Sequence, residues 1–259
     1  MQIFAIGSAL FTIIAGTWIG LRLFGLSKRT GKKPERFIGI SMLSFGAVAY
    51  PLFLVTVLGA RTLSHESVIG LSTVANAAYM TCLISIALFT RTVFRPDSKW
   101  GSVGVGIVAA VGITGSICSI SNTVMHPGVE HAFDELARWG GALISGAFGL
   151  GFLWTSIEAF IYRSALRRRM GLGLADPAVV NRFSVWALGT GIAATTDFAL
   201  VFSSMLALNP AEHPLPALLQ SASGLACAIT WTLTFAPSEM YMNWVRGRAT
   251  QVADAHETS

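Results

Sequence analysis

Seven long apolar blocks, nearly free of charged residues, constrain this chain more than any other feature of its sequence. They run over residues 3–24, 37–60, 67–90, 101–121, 139–162, 183–207 and 215–236. Each is close to the ~20 residues that an α-helix needs to cross ~30 Å of hydrocarbon. The blocks show no strand-like alternation, and a helix satisfies its own backbone hydrogen bonds in lipid. The sequence therefore predicts an all-α integral membrane protein built as a seven-transmembrane helix bundle.

The charged residues are few and unevenly placed. Only 12% of the 259 residues are charged, against about 25% in a soluble domain, and most of them fall between the apolar blocks. The net charge of +5 therefore comes mainly from short connecting segments and does not indicate nucleic-acid binding. We interpret residues 1–248 as a single transmembrane domain and residues 249–259 as a short polar cytoplasmic tail.

The lysines and arginines predict the orientation of the chain. Of the 18 basic residues, all but two fall in one alternate set of segments: 22–36, 91–99, 163–182 and 246–248. The other set holds Arg61 and Arg138. Because cytoplasmic loops are enriched in basic residues, we expect the N-terminus outside and the C-terminus in the cytoplasm.

The first three blocks show weak self-similarity to the last three. Arg36-Phe37 opens block two and Arg182-Phe183 opens block six, each after a basic segment. Blocks one to three and five to seven also share one predicted orientation. This pattern is compatible with a 3+1+3 repeat.

Small residues recur every four positions in two blocks and predict faces through which helices pack closely, within the chain or, as the alternative, between subunits of an oligomer. One face lies in block five and the other in block four. They consist of Gly141, Ser145 and Gly149, and of Ser102, Gly106 and Ala110.

The predicted topology is similar to that of microbial rhodopsins and of the small sugar facilitators with 3+1+3 repeats. A rhodopsin-type Schiff base requires a lysine in the seventh helix. The lysines here lie between blocks, at Lys28, Lys32, Lys33 and Lys99, so no covalent retinal is expected. The sugar facilitators carry prolines in paired helices of both halves, whereas Pro51 in block two has no counterpart in block six. Neither resemblance extends to individual residues, and the sequence assigns no family.

Asp197, near the middle of block six, is the strongest candidate for a functional residue. A carboxylate at the centre of a bilayer is costly and is typical of a residue that faces a cavity and has a function. Asn76 and Tyr79 of block three and Gln220 of block seven come from a similar depth. We predict that these four residues form a ligand or proton site within the membrane. The alternative is a protonated structural Asp197, hydrogen-bonded by Thr195 or by the block-three residues.

Glu158 lies towards the predicted cytoplasmic end of block five, five residues before Arg163. The first interpretation is an ion pair at the helix end, with Arg163 or with another arginine of that rim such as Arg22. The alternative is an inner gate formed with the neighbouring basic segment.

Four of the five histidines fall on the predicted outer surface, at His65, His126, His131 and His213. Imidazole together with neighbouring carboxylates suits a divalent metal, and clustered imidazoles suit a sensor of acidic pH. Their spacing matches no recognised zinc motif, so the alternative is a set of ordinary polar loop residues. No other cofactor is predicted.

Three classes of function compete. A stand-alone seven-transmembrane sensor or signalling module of a bacterial-type inner membrane fits best. A small-substrate or proton-coupled transporter or channel, and a non-catalytic subunit of a larger membrane complex, are the alternatives. An enzyme fits least, because no nucleophile–base pair or ligand set lies at one depth. The expected partners are the lipid bilayer, anionic lipid at the basic loops and a membrane or cytoplasmic protein, without nucleic acid.

Overall fold

Seven long helices account for most of the chain. The computed structural model describes residues 2–59, 62–126, 134–208 and 214–247, which contain no strand. The helices are α1 (Gln2–Thr30), α2 (Lys33–Gly59), α3 (His65–Phe94), α4 (Lys99–Met125), α5 (Glu135–Met170), α6 (Pro177–Met205) and α7 (Pro214–Phe235). Residues 239–247 form a further short helix after a break at 236–238.

All seven helices are long and apolar enough to cross a membrane. Large apolar side chains on their outer faces, such as Trp18, Ile117 and Phe160, are at least half exposed, as expected of surfaces that contact lipid. Each helix coincides with one predicted block and extends it by up to eight residues at one or both ends. These features support an integral multi-pass membrane protein.

The helices form a closed ring in chain order. Each helix packs on the next, and α7 packs on α1. Short connections make consecutive helices antiparallel neighbours. In addition, α3 contacts α5 directly, which leaves α4 at the periphery. We call the end of the bundle that holds Arg22, Arg95 and Arg163 the arginine-rich end, and the other the opposite end.

Glycines permit the closest approaches between helices. A Cβ on Gly46 of α2 would lie 2.7 Å from the backbone nitrogen of Thr17 in α1. A Cβ on Gly115 of α4 would lie 2.8 Å from the backbone nitrogen of Ile144 in α5. Van der Waals packing of backbones at small residues is the main source of helix association in lipid, so these positions fix the α1–α2 and α4–α5 crossings.

The two predicted small-residue faces have different outcomes. On α5, Gly149 packs on α6, since a Cβ there would lie 3.1 Å from the ring of Phe198. On α4, the face made by Ser102, Gly106 and Ala110 is exposed. The prediction that this α4 face packs on a neighbouring helix of the chain is therefore wrong. A four-residue spacing places side chains on one face, but does not determine which way that face points.

A π-helical turn interrupts α2 at Ser44–Ala49. In this turn the backbone N–H of Tyr50 donates to the carbonyl of Phe45, five residues back. Pro51 comes next; it has no N–H to donate, and its ring crowds the preceding turn, which accounts for the irregularity at this point. The wider turn aligns Phe45 and Tyr50, whose rings stack with centroids 5.4 Å apart.

Asp176 begins α6 and holds the short terminal helix. The Asp176-Pro177 pair is typical of a helix start, and Oδ1 of Asp176 accepts the N–H of Ala178 at 2.8 Å. Its Oδ2 accepts from Nη2 of Arg246 at 3.1 Å. The Ala178 N–H, followed by Arg246, lowers the pKa of Asp176 below its ordinary value. A second contact, from Nδ2 of Asn181 to the hydroxyl of Tyr241 at 2.6 Å, ties the same two helices.

Candidate functional site

A cavity of about 550 Å³ lies at the centre of the ring. It extends from Ala137, near the start of α5, to Trp231, near the end of α7. Every helix contributes to its wall, with α1 represented by Thr12 and α4 by the turn that contains Asn122. Small-molecule sites occupy about 300–1,000 Å³, so the cavity has the size of such a site.

All four residues that the sequence assigns to a site within the membrane line this cavity. They are Asp197 on α6, Asn76 and Tyr79 on α3, and Gln220 on α7. The fold therefore brings together side chains that lie more than a hundred residues apart in the chain.

The carboxylate of Asp197 is not held by the donors that the structural alternative requires. Asn76 donates from Nδ2 to the carbonyl of Ser72 at 2.9 Å, and Thr195 donates from Oγ1 to the carbonyl of Gly191 at 3.0 Å. Within the described part of the chain, Asp197 has neither a hydrogen bond nor an ion pair. Because an uncompensated carboxylate in a low-dielectric interior is costly, this group is available to a molecule in the cavity.

Aromatic rings form much of the remaining wall. Phe45 contacts Trp231 and Tyr79 edge to face, with both centroid separations 6.1 Å. Tyr79 in turn contacts Phe148 at 6.0 Å, also edge to face. Phe152 follows at 5.9 Å from Phe148. The rings thus make a continuous chain across α7, α2, α3 and α5, and all five line the cavity.

Apart from Tyr79, these rings were not predicted from the sequence. Aromatic residues are common throughout apolar blocks, and nothing in the pattern distinguishes those that face inwards from those that face lipid. The one available signal is Pro51. A proline within a helix commonly marks an irregular turn; Phe45 lies in the turn that precedes Pro51, and Tyr50 follows that turn directly.

Tightly packed side chains close the cavity towards the arginine-rich end. Trp186 contacts Phe89 and Phe235 with centroids 5.9 and 5.0 Å apart. Beside them, the hydroxyls of Thr90 and Thr155 are hydrogen-bonded at 2.6 Å between α3 and α5, and both residues are buried. This layer separates the cavity from the arginine-rich end.

Glu158 makes an ion pair with Arg95, an arginine of the same rim, rather than with Arg163 or Arg22. Its Oε1 accepts from Nε of Arg95 at 2.8 Å and from Nε1 of Trp154 at 3.3 Å. Arg163, the predicted partner, donates from Nε to the hydroxyl of Ser184 at 2.6 Å. Five residues along an α-helix rotate a side chain by about 140°, so Arg163 points away from Glu158. The hydrogen bond from Arg95 to Glu158 raises the pKa of the Arg95 guanidinium.

The four outer histidines are only partly within the described residues. His65 begins α3 and His126 follows α4, both partly exposed, whereas His131 and His213 lie outside the described residues. Within the described ranges no group of three or more His, Cys, Asp or Glu side chains is placed to hold a metal. Convergence of all four histidines on a metal stays a prediction.

A second cavity, of about 460 Å³, lies at the arginine-rich end. It is bounded by α1, the start of α6 and the short helix 239–247. Arg22, Arg182 and Arg246 line it together with Glu239. Its charge is complementary to an anionic group, such as a lipid phosphate.

No protein-family model, no curated protein and no solved structure matches this chain, so an assignment of function depends on the cavities and their charges.

Proposed function

We propose that the protein binds a small molecule in the central cavity and acts as a stand-alone seven-helix sensor or signalling module of a bacterial-type inner membrane. The observation that carries the proposal is the carboxylate of Asp197, which has no partner among the described residues, in a cavity of ligand size. Asn76, Tyr79 and Gln220 add hydrogen-bonding groups to the same wall. A few polar groups within a largely apolar wall are typical of small-molecule sites.

Two helices, α3 and α5, can transmit a structural change from the cavity to the predicted cytoplasmic side. Tyr79 of α3 and Phe148 of α5 contact each other at the cavity wall. The same helices are joined further along by the Thr90–Thr155 hydrogen bond and by the Arg95–Glu158 pair. A ligand that moves α3 against α5 therefore also acts on the arginine-rich end. Arg167, Arg168 and Arg169 there are a suitable surface for anionic lipid or an acidic protein partner.

Filling the cavity should abolish ligand binding. We expect library compounds that bind the wild-type protein in nanodiscs to raise its melting temperature, since a ligand at 100 times its Kd stabilises by about 2.7 kcal/mol. Ser145 lines the cavity on α5, so Ser145→Trp should lose these shifts. Leu150→Trp, on the exposed side of the same helix, is the control and should keep them. Equal shifts in Ser145→Trp would place the binding elsewhere.

The orientation is testable independently of any ligand. We expect reporter fusions after Gly31 and Gly171 to read as cytoplasmic, because these glycines follow the ends of α1 and α5 beside the basic segments. Fusions after His65 and His213 should read as external. The opposite result at either pair would refute the proposed orientation.

A small-substrate transporter is the second candidate, and the π turn of α2 favours it. Transport sites near the centre of a membrane are typically formed by helices with interrupted hydrogen bonding, and Phe45 in this turn lines the cavity. Uptake of a bound compound into proteoliposomes would indicate transport rather than sensing, provided that Ser145→Trp abolishes the uptake.

A further inference from the structure

We propose that the ligand of the central cavity is an organic cation, whose ammonium group lies between the Asp197 carboxylate and the aromatic wall. This inference rests on the proposed binding function and specifies the class of ligand. It follows from the charges, the rings and the size of the cavity taken together.

The described wall of the cavity holds an acidic residue and no basic one. Among the described residues that line the cavity, Asp197 is the one acidic residue, and none is lysine, arginine or histidine. An anion would meet a carboxylate and no counter-charge. A neutral molecule would offer no opposite charge, so the carboxyl group would have to stay protonated to avoid the cost of an unpaired charge in an apolar surrounding. A cation would supply the missing partner.

The rings are the second, independent feature. Ring faces attract cations through the aromatic quadrupole, and the attraction strengthens in a desolvated site. Tyr79 is central to the wall, because it contacts Phe45, Phe53 and Phe148, all edge to face. Asp197 lines the same cavity from α6. An ammonium group near Tyr79 would therefore meet both a carboxylate and several rings.

The wall suits an organic ammonium better than a metal ion. Calcium requires six to eight oxygen ligands and magnesium an octahedral set. No set of three or more His, Cys, Asp or Glu side chains is placed to hold a metal in the described ranges. An ammonium with an apolar body needs one carboxylate and apolar or aromatic surface, and about 550 Å³ leaves room for such a body.

Matched compounds test the inference on the wild-type protein. The cations are phenethylamine, benzyltrimethylammonium and tetraethylammonium; the neutral and anionic partners are phenethyl alcohol and hydrocinnamate. Binding to the protein in nanodiscs is measured by calorimetry. We expect at least one cation to bind about tenfold or more tightly than the alcohol, a difference of about 1.4 kcal/mol, and hydrocinnamate not to bind.

Four variants assign the interaction to named groups. Asp197→Asn keeps the shape of the side chain and removes its charge, and should weaken cation binding about tenfold or more. Tyr79→Phe keeps the ring and should retain binding, whereas Tyr79→Leu should weaken it. Asp97→Asn removes an exposed carboxylate between α3 and α4 and should bind as the wild type does.

Two results would overturn the inference. The first is that none of the three cations binds more tightly than phenethyl alcohol; it would leave small-molecule binding intact and remove the preference for cations. The second is failure of all three cations to bind the folded wild-type protein. The proposed binding function is tested separately, by whether Ser145→Trp loses the melting-temperature shifts that library compounds produce in the wild-type protein.

Discussion

Gly115→Ala should leave the bundle about 1–3 kcal/mol less stable than Gly106→Ala, the cost typical of overpacking. The two glycines lie on the same helix, α4, and both substitutions gain the better helix propensity of alanine, about 1 kcal/mol. The difference between them therefore isolates packing. A Cβ at Gly115 would meet backbone and Cβ atoms of α5 at 2.8 Å, whereas a Cβ at Gly106 would meet nothing within 4 Å.

This difference in the free energy of unfolding is measured by reversible unfolding in mixed micelles. The two variants and the wild type are compared side by side. Backbone atoms cannot rotate aside as the end of a long side chain can, so the strain must move α4 away from α5. Gly140, directly across the crossing, offers a repeat of the test from the other helix. Equal stability of the Gly115 and Gly106 variants would show that α4 does not cross α5 at this point.

Arg95→Gln should destabilise the arginine-rich end more than Glu158→Gln, although both remove the same ion pair. The side chain of Glu158 is 11% exposed and that of Arg95 is 49% exposed. Without Arg95, a buried carboxylate keeps Trp154 as its one hydrogen-bond donor among the described residues. Leaving such a buried group short of partners costs about 1–3 kcal/mol. Without Glu158, the Arg95 guanidinium turns to water.

The double variant Arg95→Gln with Glu158→Gln completes the comparison. Its stability should lie near that of Glu158→Gln alone, because the charge that was left unpaired is gone. Thermal unfolding of all four proteins in nanodiscs gives the interaction free energy between the two sites. A larger loss for Glu158→Gln than for Arg95→Gln would mean that the carboxylate is not the buried partner.

The number and positions of the helices follow from the sequence because the solvent determines them. Lipid excludes charge and unpaired backbone, so the limits of each apolar block mark a helix to within a few residues. The rotation of each helix about its own axis does not follow in the same way. A helix that is apolar all round has no pattern that distinguishes the interior from lipid, and the exposed face at Gly106 shows the result.

The candidate site could likewise be predicted only in part. Asp197, Asn76, Tyr79 and Gln220 could be grouped from their depth, because polar side chains within a membrane avoid lipid. Phe148 and Trp231, which line the same cavity, are apolar and tolerate either surrounding. Depth in the membrane also did not identify which arginine pairs with Glu158. Several arginines share the arginine-rich end, and only the three-dimensional packing of α3 against α5 places Arg95 beside it.

The π turn makes α2 tolerant of a one-residue change in its length. A π turn holds one residue more than an α turn, so losing one residue from Ser44–Ala49 would close the wide turn to a regular helix. The helix beyond it would keep its rotation about its own axis, and Phe53 would still face the cavity that it lines. The same loss from a regular part of α2 would rotate everything beyond it by about 100° and turn that side of the wall towards lipid. A single codon deletion within the π turn would therefore change the cavity only locally, whereas a deletion elsewhere in α2 would exchange one wall of it.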